Sequence, residues 1–253
     1  MSGALPERPS RADLEREHFD RMAPHFDEVH RHERPSGRAR IDRRIRLFRE
    51  ALGTSDALDI LEIGCGTGAY SERIAVEIPF RRLVCTDISA KALSIARTKV
   101  PDSRVEFRQE DLMRSSLSDG EFGAVLGNSI LHHLDLARAL AELRRILVPG
   151  GLLVLSEPNM VNPQVFLTKK IPFLKRRVGD TPEETAFVRW TLPARLREAG
   201  FEPLSIRPFD FLHPWTPAPL VGLVSAVGRV CERAPVVREI AGSLLIVARS
   251  PEK

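Results

Sequence analysis

LDILEIGCGTGAYSERI, residues 58–74, is the stretch that decides the fold of this 253-residue chain. Its first residues alternate and then run apolar, which predicts a buried β-strand. Three glycines follow at every second position, Gly64, Gly66 and Gly68, and a helix is predicted directly after them. A strand, a glycine-rich turn and a helix N-terminus let a ligand's polar groups approach bare backbone N–H groups. The stretch therefore predicts a ligand site in an α/β fold.

Two cofactor classes are compatible with the glycine turn taken alone. Gly64, Gly66 and Ala69 fit G-x-G-x-x-[GA], the fingerprint of dinucleotide-binding proteins. The longer pattern E-x-G-x-G-x-G, Glu62–Gly68, resembles the first motif of the class I S-adenosylmethionine (SAM) dependent methyltransferases. Asp87, at the end of the next predicted strand, can accept hydrogen bonds from ribose hydroxyls and fits both classes. The residues further along the chain have to distinguish them.

The downstream motifs favour the methyltransferase resemblance. The run LRRILVPGGLLVLSEP, residues 143–158, resembles the helix–PGG–strand motif of that family. The resemblance implies that Asp111 binds the adenine amino group and that Asn128 and Ser129 hold the methionine end of SAM. The cofactor residues it implies are Glu62, Gly64, Cys65, Gly66, Gly68, Asp87, Ile88, Asp111, Leu112, Asn128 and Ser129. NAD becomes a minor alternative, because no second βαβ half follows residue 158.

Strands and helices alternate along residues 58–155, which predicts a doubly wound, mostly parallel sheet. The resemblance implies a Rossmann-like sheet of seven strands whose last strand is antiparallel. We expect a disordered tail over residues 1–10 and one domain over 11–253, with a helical lid over 11–53 and cap insertions over 159–190 and 214–241. Patterning predicts a helix at Leu136–Leu147 and strands at Val105–Phe107, Leu152–Leu155 and Leu204–Phe211.

Two histidines, His132 and His133, follow the fourth predicted strand and are the candidate catalytic residues. A histidine titrating near neutrality could remove a proton from a hydroxyl or amine acceptor, although a structural role fits the same position. The candidate substrate-binding residues are Phe26, Glu157, Asn159, Trp190 and His213. No cluster in the sequence has metal-ligand spacing, so no metal is expected.

Charge and composition limit the choice of compartment and partner. The net charge is +4, with an arginine-rich segment at residues 31–49 and a basic segment of lysines and arginines at residues 169–177. Solvated helix faces explain this pattern, as would an anionic partner. The three cysteines are far apart and predict no disulfide framework, and the N-terminus has no apolar segment typical of a signal peptide. A cytoplasmic protein is expected, with no nucleic-acid partner and as a monomer or homodimer.

The resemblance implies methyl transfer from SAM, with S-adenosylhomocysteine (SAH) as product, to a small and hydrophobic acceptor. Two segments of the caps, residues 163–177 and 217–230, combine apolar side chains with little acidic charge. They predict a cap over the acceptor and a peripheral contact with an anionic membrane. Packing of the two segments on each other, or in a dimer, explains the same pattern. Two alternatives stay open: a cyclase or lyase that uses SAM on the same fold, and an RNA-associated SAM-binding protein.

Overall fold

A computed structural model describes residues 11–53, 58–177 and 184–252. The predicted disordered tail over residues 1–10 and residues 178–183 of the first cap lie outside the described residues. None of the helices within the described ranges is both long and apolar enough to cross a bilayer.

The core is a seven-stranded sheet in the order β3-β2-β1-β4-β5-β7-β6. The strands are β1 (Asp59–Ile63), β2 (Arg82–Asp87), β3 (Val105–Gln109), β4 (Phe122–Asn128), β5 (Leu147–Pro158), β6 (Glu202–Phe209) and β7 (Ser243–Arg249). Strand β7 is antiparallel to both of its neighbours, and the other six are parallel to one another. The predicted fold class is confirmed.

Helices cover both faces of the sheet. The lid contains α1 (Arg11–Met22), a 3-10 turn (Ala23–His25), α2 (Phe26–Val29) and α3 (Pro35–Leu52). The helices that follow the lid are α4 (Ala69–Glu77), α5 (Ala90–Lys99), α6 (Leu136–Ile146), α7 (Pro163–Lys170), α8 (Pro172–Arg177), α9 (Leu192–Glu198) and α10 (Val221–Cys231). Two apolar clusters of buried residues lie on either side of the central strands.

Four elements have bounds that differ from the predicted ones. Helix α6 ends at Ile146 instead of Leu147, and β5 begins at Leu147 rather than Leu152, because Leu147 already pairs with Phe122 of β4. Strand β3 continues two residues beyond Phe107 and pairs as far as Gln109 with β2. Strand β6 begins and ends two residues earlier than predicted, since Asp210 has a φ of 73° and cannot continue an extended strand.

Gly68 shows why the turn after β1 needs glycine. It forms the N-terminal boundary of α4 in a left-handed conformation with a φ of 82°. A Cβ at this position would lie 2.9 Å from the backbone Cα of Ala96, so a side chain would clash with α5. The glycine therefore sets both the direction of the turn and the close packing of α4 against α5.

A buried arginine fixes the lid helix α3 to the ends of the strands. Arg44 is 3% exposed, and its guanidinium lies 2.8 Å from Asp210, which follows β6. It also donates to Ser156 of β5 and to Ser243 of β7. Burial alone would raise the pKa of Asp210, but Arg44 and Arg40 outweigh it and hold that pKa below its usual value. Helix α3 is therefore tied to three strands by one cation.

Candidate active site

One large cavity opens at the carboxyl ends of the parallel strands. Its volume is about 1630 Å³, and its lining runs from the glycine turn, under the lid, to residues of both caps. Pockets for one small ligand commonly measure about 300–1,000 Å³, so this cavity has room for more than one bound molecule. Its position at the strand ends matches the usual ligand crevice of open α/β sheets.

The glycine turn and Asp87 form the floor of this cavity. Asp87 accepts hydrogen bonds from the backbone N–H of Gly66 at 2.8 Å and of Ser89 at 2.9 Å. Burial raises the pKa of Asp87, and these N–H bonds act against that rise. The carboxylate thus fixes the turn and lines the cavity at the same time.

Most of the cofactor residues implied by the sequence line the cavity together. They are Gly64, Cys65, Gly66, Asp87, Ile88, Asp111, Leu112, Asn128 and Ser129. Oδ1 of Asn128 is buried and has no hydrogen-bond partner among the described residues. An unpartnered buried carbonyl is costly, so it fits a ligand that brings a donor, such as an ammonium. This chemistry agrees with the methionine end of SAM.

Glu62 and Gly68 lie behind the cavity wall rather than in it. The buried Glu62 carboxylate accepts from Ser71 Oγ of α4 at 2.5 Å. Burial raises the pKa of Glu62 to about 7, although the Ser71 bond acts in the opposite direction. Glu62 therefore joins β1 to α4 beneath the turn, and Gly68 serves the turn's geometry.

The lid is attached to the cavity floor through two aspartates. Asp27 accepts a hydrogen bond from Thr67 of the glycine turn at 2.6 Å and also pairs with Lys99 of α5. Asp20 accepts from Ser89, the residue that caps α5, at 2.6 Å. The ring of Phe26 would lie 3.6 Å from a Cβ on Gly66, so this predicted substrate residue covers the turn. These contacts join the lid to the side of the cavity that contains the glycine turn.

A cluster of acidic and basic side chains lies beside the cavity, and three of them, His132, His133 and Glu184, belong to its lining. His132 Nδ1 lies 2.9 Å from Glu157 Oε2, and its Nε2 lies 3.6 Å from Glu184 Oε2. Glu184 Oε1 lies 3.5 Å from Nδ1 of His133. Burial lowers the pKa of His132, but Glu157 and Glu184 outweigh it, and the net effect is a raised pKa. The sequence analysis had named His132, His133 and Glu157 of this group, but not that they form one cluster.

Glu184 is the residue of this cluster that the sequence analysis missed. Its Oε2 also accepts from Lys169 Nζ of α7 at 3.0 Å. Potential ligand atoms of His132, His133 and Glu184 lie within 4.8 Å of one another, a grouping that sequence spacing did not indicate. The ammonium of Lys169 already supplies a positive charge to this carboxylate. We therefore interpret the group as an acid–base cluster rather than as a metal centre.

The remaining predicted substrate residues fall into two groups. His213 lines the cavity and its Nε2 lies 2.6 Å from Gln164 Nε2 of α7. Glu157 lies outside the lining and accepts from the backbone N–H of Ile130 and Leu131. Asn159 is likewise buried outside the lining and donates to the carbonyls of Glu239 and Ala241. Trp190 is exposed on the surface beside Arg189.

Comparison with known proteins agrees with this architecture. Residues 61–155 match the model of a family described as a methyltransferase domain. An uncharacterized methyltransferase of Mycobacterium bovis is 31% identical over 144 residues, covering 55% of this chain and 72% of that protein. A demethylmenaquinone methyltransferase of Lactiplantibacillus plantarum is 27% identical over 223 residues, covering 76% of this chain and 90% of that protein.

Two solved structures share the fold over nearly the whole chain. The [4+2]-cyclase SpnF has a TM-score of 0.70 and 22% identity, covering 97% of this chain and 98% of that chain. The N-methyltransferase NodS from Bradyrhizobium japonicum, solved with SAH, has a TM-score of 0.64 and 18% identity, covering 94% and 98%. At these identities the likeness concerns the fold alone.

The sheet order, the glycine turn and the cavity at the strand ends define a Rossmann-like protein that binds a nucleoside cofactor. The chain belongs to the class I SAM-dependent methyltransferases, and its cofactor is SAM. The family expectation and the cofactor expectation are both confirmed.

Proposed function

We propose that the chain transfers a methyl group from SAM to a small, largely hydrophobic acceptor. The observation that carries this proposal is the single cavity of about 1630 Å³ that joins the glycine turn to the acid–base cluster around His133. Apolar side chains of the lid (Phe19, Met22), of the first cap (Val165) and of the segment after β6 (Leu212) contribute to its lining. A cavity of this kind accommodates cofactor and acceptor side by side.

The cofactor half holds SAM through residues of the turn and of the strand ends. When bound, SAM supplies a methyl group activated by a sulfonium. In our proposal, Asp87 binds the ribose, Asp111 and Leu112 bind the adenine edge, and Asn128 accepts from the ammonium. Methyl transfer depends on holding the acceptor atom close and in line, so positioning by the lid and caps accounts for much of the expected rate.

On the acceptor side, His133 takes up the proton that a hydroxyl or amine acceptor loses. Glu184 Oε1 lies 3.5 Å from Nδ1 of His133, which favours the tautomer with the proton on Nδ1 and the lone pair on Nε2. Lys169 and His132 hold the other oxygen of the same carboxylate. The pair thus has the arrangement of a general base and the carboxylate that orients it.

The test supplies SAM labelled on its methyl group to the purified protein, together with an organic-solvent extract of bacterial cells or with total RNA. We expect label in the organic phase, and about 10–1000-fold less of it with His133→Ala, because one general base contributes up to about 10⁴-fold. Label in RNA alone would contradict a small-molecule acceptor. Consumption of an extract component without any transfer of label would favour the cyclase or lyase alternative.

A further inference from the structure

Helix α10 presents apolar side chains to solvent. Leu220, Leu223, Val227 and Val230 recur at spacings of three and four residues, so they lie along one side of the helix. Their exposed fractions lie between 46% and 65%. On the opposite side, Gly228 is buried, and a Cβ there would lie 3.2 Å from the Cβ of Phe211. An exposed apolar stripe of this kind on a helix indicates an interaction surface.

A small arginine-rich cavity lies at the C-terminal end of the same helix. Its volume is about 330 Å³, and it shares no lining residue with the active-site cavity. Five arginines and one glutamate supply its charged lining, namely Arg43, Arg207, Arg229, Arg233, Arg238 and Glu232. Arg229 and Arg233 belong to α10 and to the turn that follows it. Three of these arginines have acidic partners, Arg43 with Glu232, Arg207 with Glu50 and Arg238 with Glu239. The excess positive charge beside the apolar stripe therefore comes from Arg229 and Arg233.

The neighbouring carboxylates neutralise only part of this charge. Glu232 pairs with Arg43 at 2.6 Å and also accepts from the backbone N–H of Asp210. Within residues 11–53, 58–177 and 184–252, neither Arg229 nor Arg233 forms an ion pair. Guanidinium groups that are grouped without matching acids favour an anionic partner, above all phosphate groups.

We propose that α10 docks on an anionic lipid bilayer. We define the α10 face as Leu220, Leu223, Val227 and Val230 together with Arg229 and Arg233. Apolar side chains that enter the headgroup boundary and arginines that contact lipid phosphates are the two features of an interfacial helix. A symmetric contact between two copies of this face would instead bring two sets of arginines together, which repulsion disfavours.

The buried side of α10 contacts a residue that lines the active-site cavity. Phe211, which packs on Gly228, also lines that cavity. Trp215 lines the cavity as well, is 66% exposed and has the Arg31 guanidinium 3.7 Å from its ring centre. Docking through α10 therefore places Phe211, and with it one part of the cavity lining, one helix away from the bilayer. The docking inference rests on this surface and does not depend on the proposed reaction.

The sequence-based expectation assigned membrane contact to residues 163–177 and 217–230, with the positive charge on the basic run 169–177, and the structure corrects part of that charge assignment. Lys169 turns inward, and only 8% of its side chain is exposed because Glu184 binds it. Lys175 likewise donates to the carbonyl of Glu184. The arginine cluster beside α10 replaces this run as the surface that we assign to headgroups.

The experiment is flotation of the purified full chain with vesicles of phosphatidylcholine, with or without phosphatidylglycerol. We expect binding only to the anionic vesicles and a decrease as salt is raised. Arg229→Gln with Arg233→Gln should weaken binding about 30-fold, because each arginine near an anionic surface contributes a roughly fivefold factor. Leu223→Ser with Val227→Ser should also weaken it. The matched control is Arg195→Gln with Arg197→Gln on α9, which removes the same charge elsewhere.

The control pair should keep wild-type binding, and every variant should keep wild-type SAH affinity, which serves as the check on folding. Equal loss in the control and in the α10 arginine pair would mean unspecific attraction and would overturn the proposal. Absence of binding by the wild type would do the same. A dimer in light scattering that Leu223→Ser with Val227→Ser dissociates would identify the face as a subunit interface instead.

Discussion

Glu184 and His133 face each other across the acceptor side of the cavity, with Oε1 of the carboxylate 3.5 Å from Nδ1 of the imidazole. The other oxygen of Glu184 is held by Lys169 at 3.0 Å, so the carboxylate has a fixed direction. A second carboxylate, that of Glu15 in the lid helix α1, lies 3.6 Å from the same nitrogen. The two acids allow a direct comparison of their roles.

Replacing Glu184 by Gln should lower kcat about 10–1000-fold and leave SAH affinity unchanged. The amide keeps the size of the side chain but removes the charge that orients His133. The decrease in kcat should therefore approach the decrease caused by removing the base itself. Glu15→Gln is the matched comparison, and we expect a smaller effect because Lys169 and His132 fix Glu184. Steady-state kinetics with calorimetry of SAH binding measures both. Equal losses in the two variants would refute the special role of Glu184.

The tautomer of His133 gives a second test, because it would not change on replacing Glu184 if that residue had only a structural role. In the wild type, ¹⁵N NMR should show the proton of neutral His133 mainly on Nδ1, because a carboxylate faces that nitrogen. In Glu184→Gln the proton should redistribute toward Nε2, while Glu184→Asp should restore part of the original signal. Identical spectra in all three proteins would contradict the proposal that Glu184 orients His133.

Replacing Asp87 by Ala should weaken SAH binding by roughly 2–4 kcal/mol, since the carboxylate makes charge-assisted hydrogen bonds. Asp87 also holds the backbone N–H groups of Gly66 and Ser89, so the glycine turn should loosen as well. Calorimetry measures the affinity, and thermal unfolding of the unliganded variant measures the structural part. Unchanged SAH affinity in Asp87→Ala would exclude Asp87 as a ribose ligand.

Glu62 should make the stability of the unliganded protein depend on pH. Burial raises its pKa to about 7, whereas in the unfolded chain it titrates near 4.5, so the folded state binds more protons between these values. The free energy of unfolding should therefore fall as pH rises from 4.5 through 7, by up to about 3 kcal/mol relative to Glu62→Gln. Urea unfolding of both proteins at several pH values measures this difference. Parallel pH profiles would show that Glu62 makes no such contribution.

Replacing Arg44 by Met should destabilise the fold by about 3 kcal/mol, because the buried carboxylate of Asp210 then keeps only Arg40 as a cation and two serine hydroxyls lose their donor. Adding Asp210→Asn should recover part of the loss, since the buried charge is then removed together with its closest cation. Arg195→Met on the exposed surface of α9 is the control, with an expected change within about 0.5 kcal/mol. Urea unfolding measures the free energy of unfolding of each variant. A decrease in Arg44→Met no larger than that in Arg195→Met would contradict the role of Arg44 as an anchor.

The sequence predicted the parts of the fold that depend on local patterning. The apolar run of β1, the glycines after it and the acid at the end of β2 each specify a local geometry. The alternation of strands and helices predicted a doubly wound, mostly parallel sheet, and the antiparallel last strand was implied by the family resemblance. Glu184 was not predictable, because it lies in an aperiodic insertion and acquires its role only when folding brings it to His133. Lys169 was misread as a surface charge for the same reason, since its partner is distant in sequence.

The proposed account depends most on methyl transfer itself, and mass spectrometry of a single reaction tests it most directly. Purified protein is given SAM and the fraction of an organic extract in which label accumulates, and SAH and the acceptor are quantified together. The account predicts one SAH released for each acceptor molecule that becomes heavier by one methylene, in the wild type and much more slowly in Glu184→Gln. Acceptor consumed without SAH, or SAM cleaved without a heavier acceptor, would contradict it.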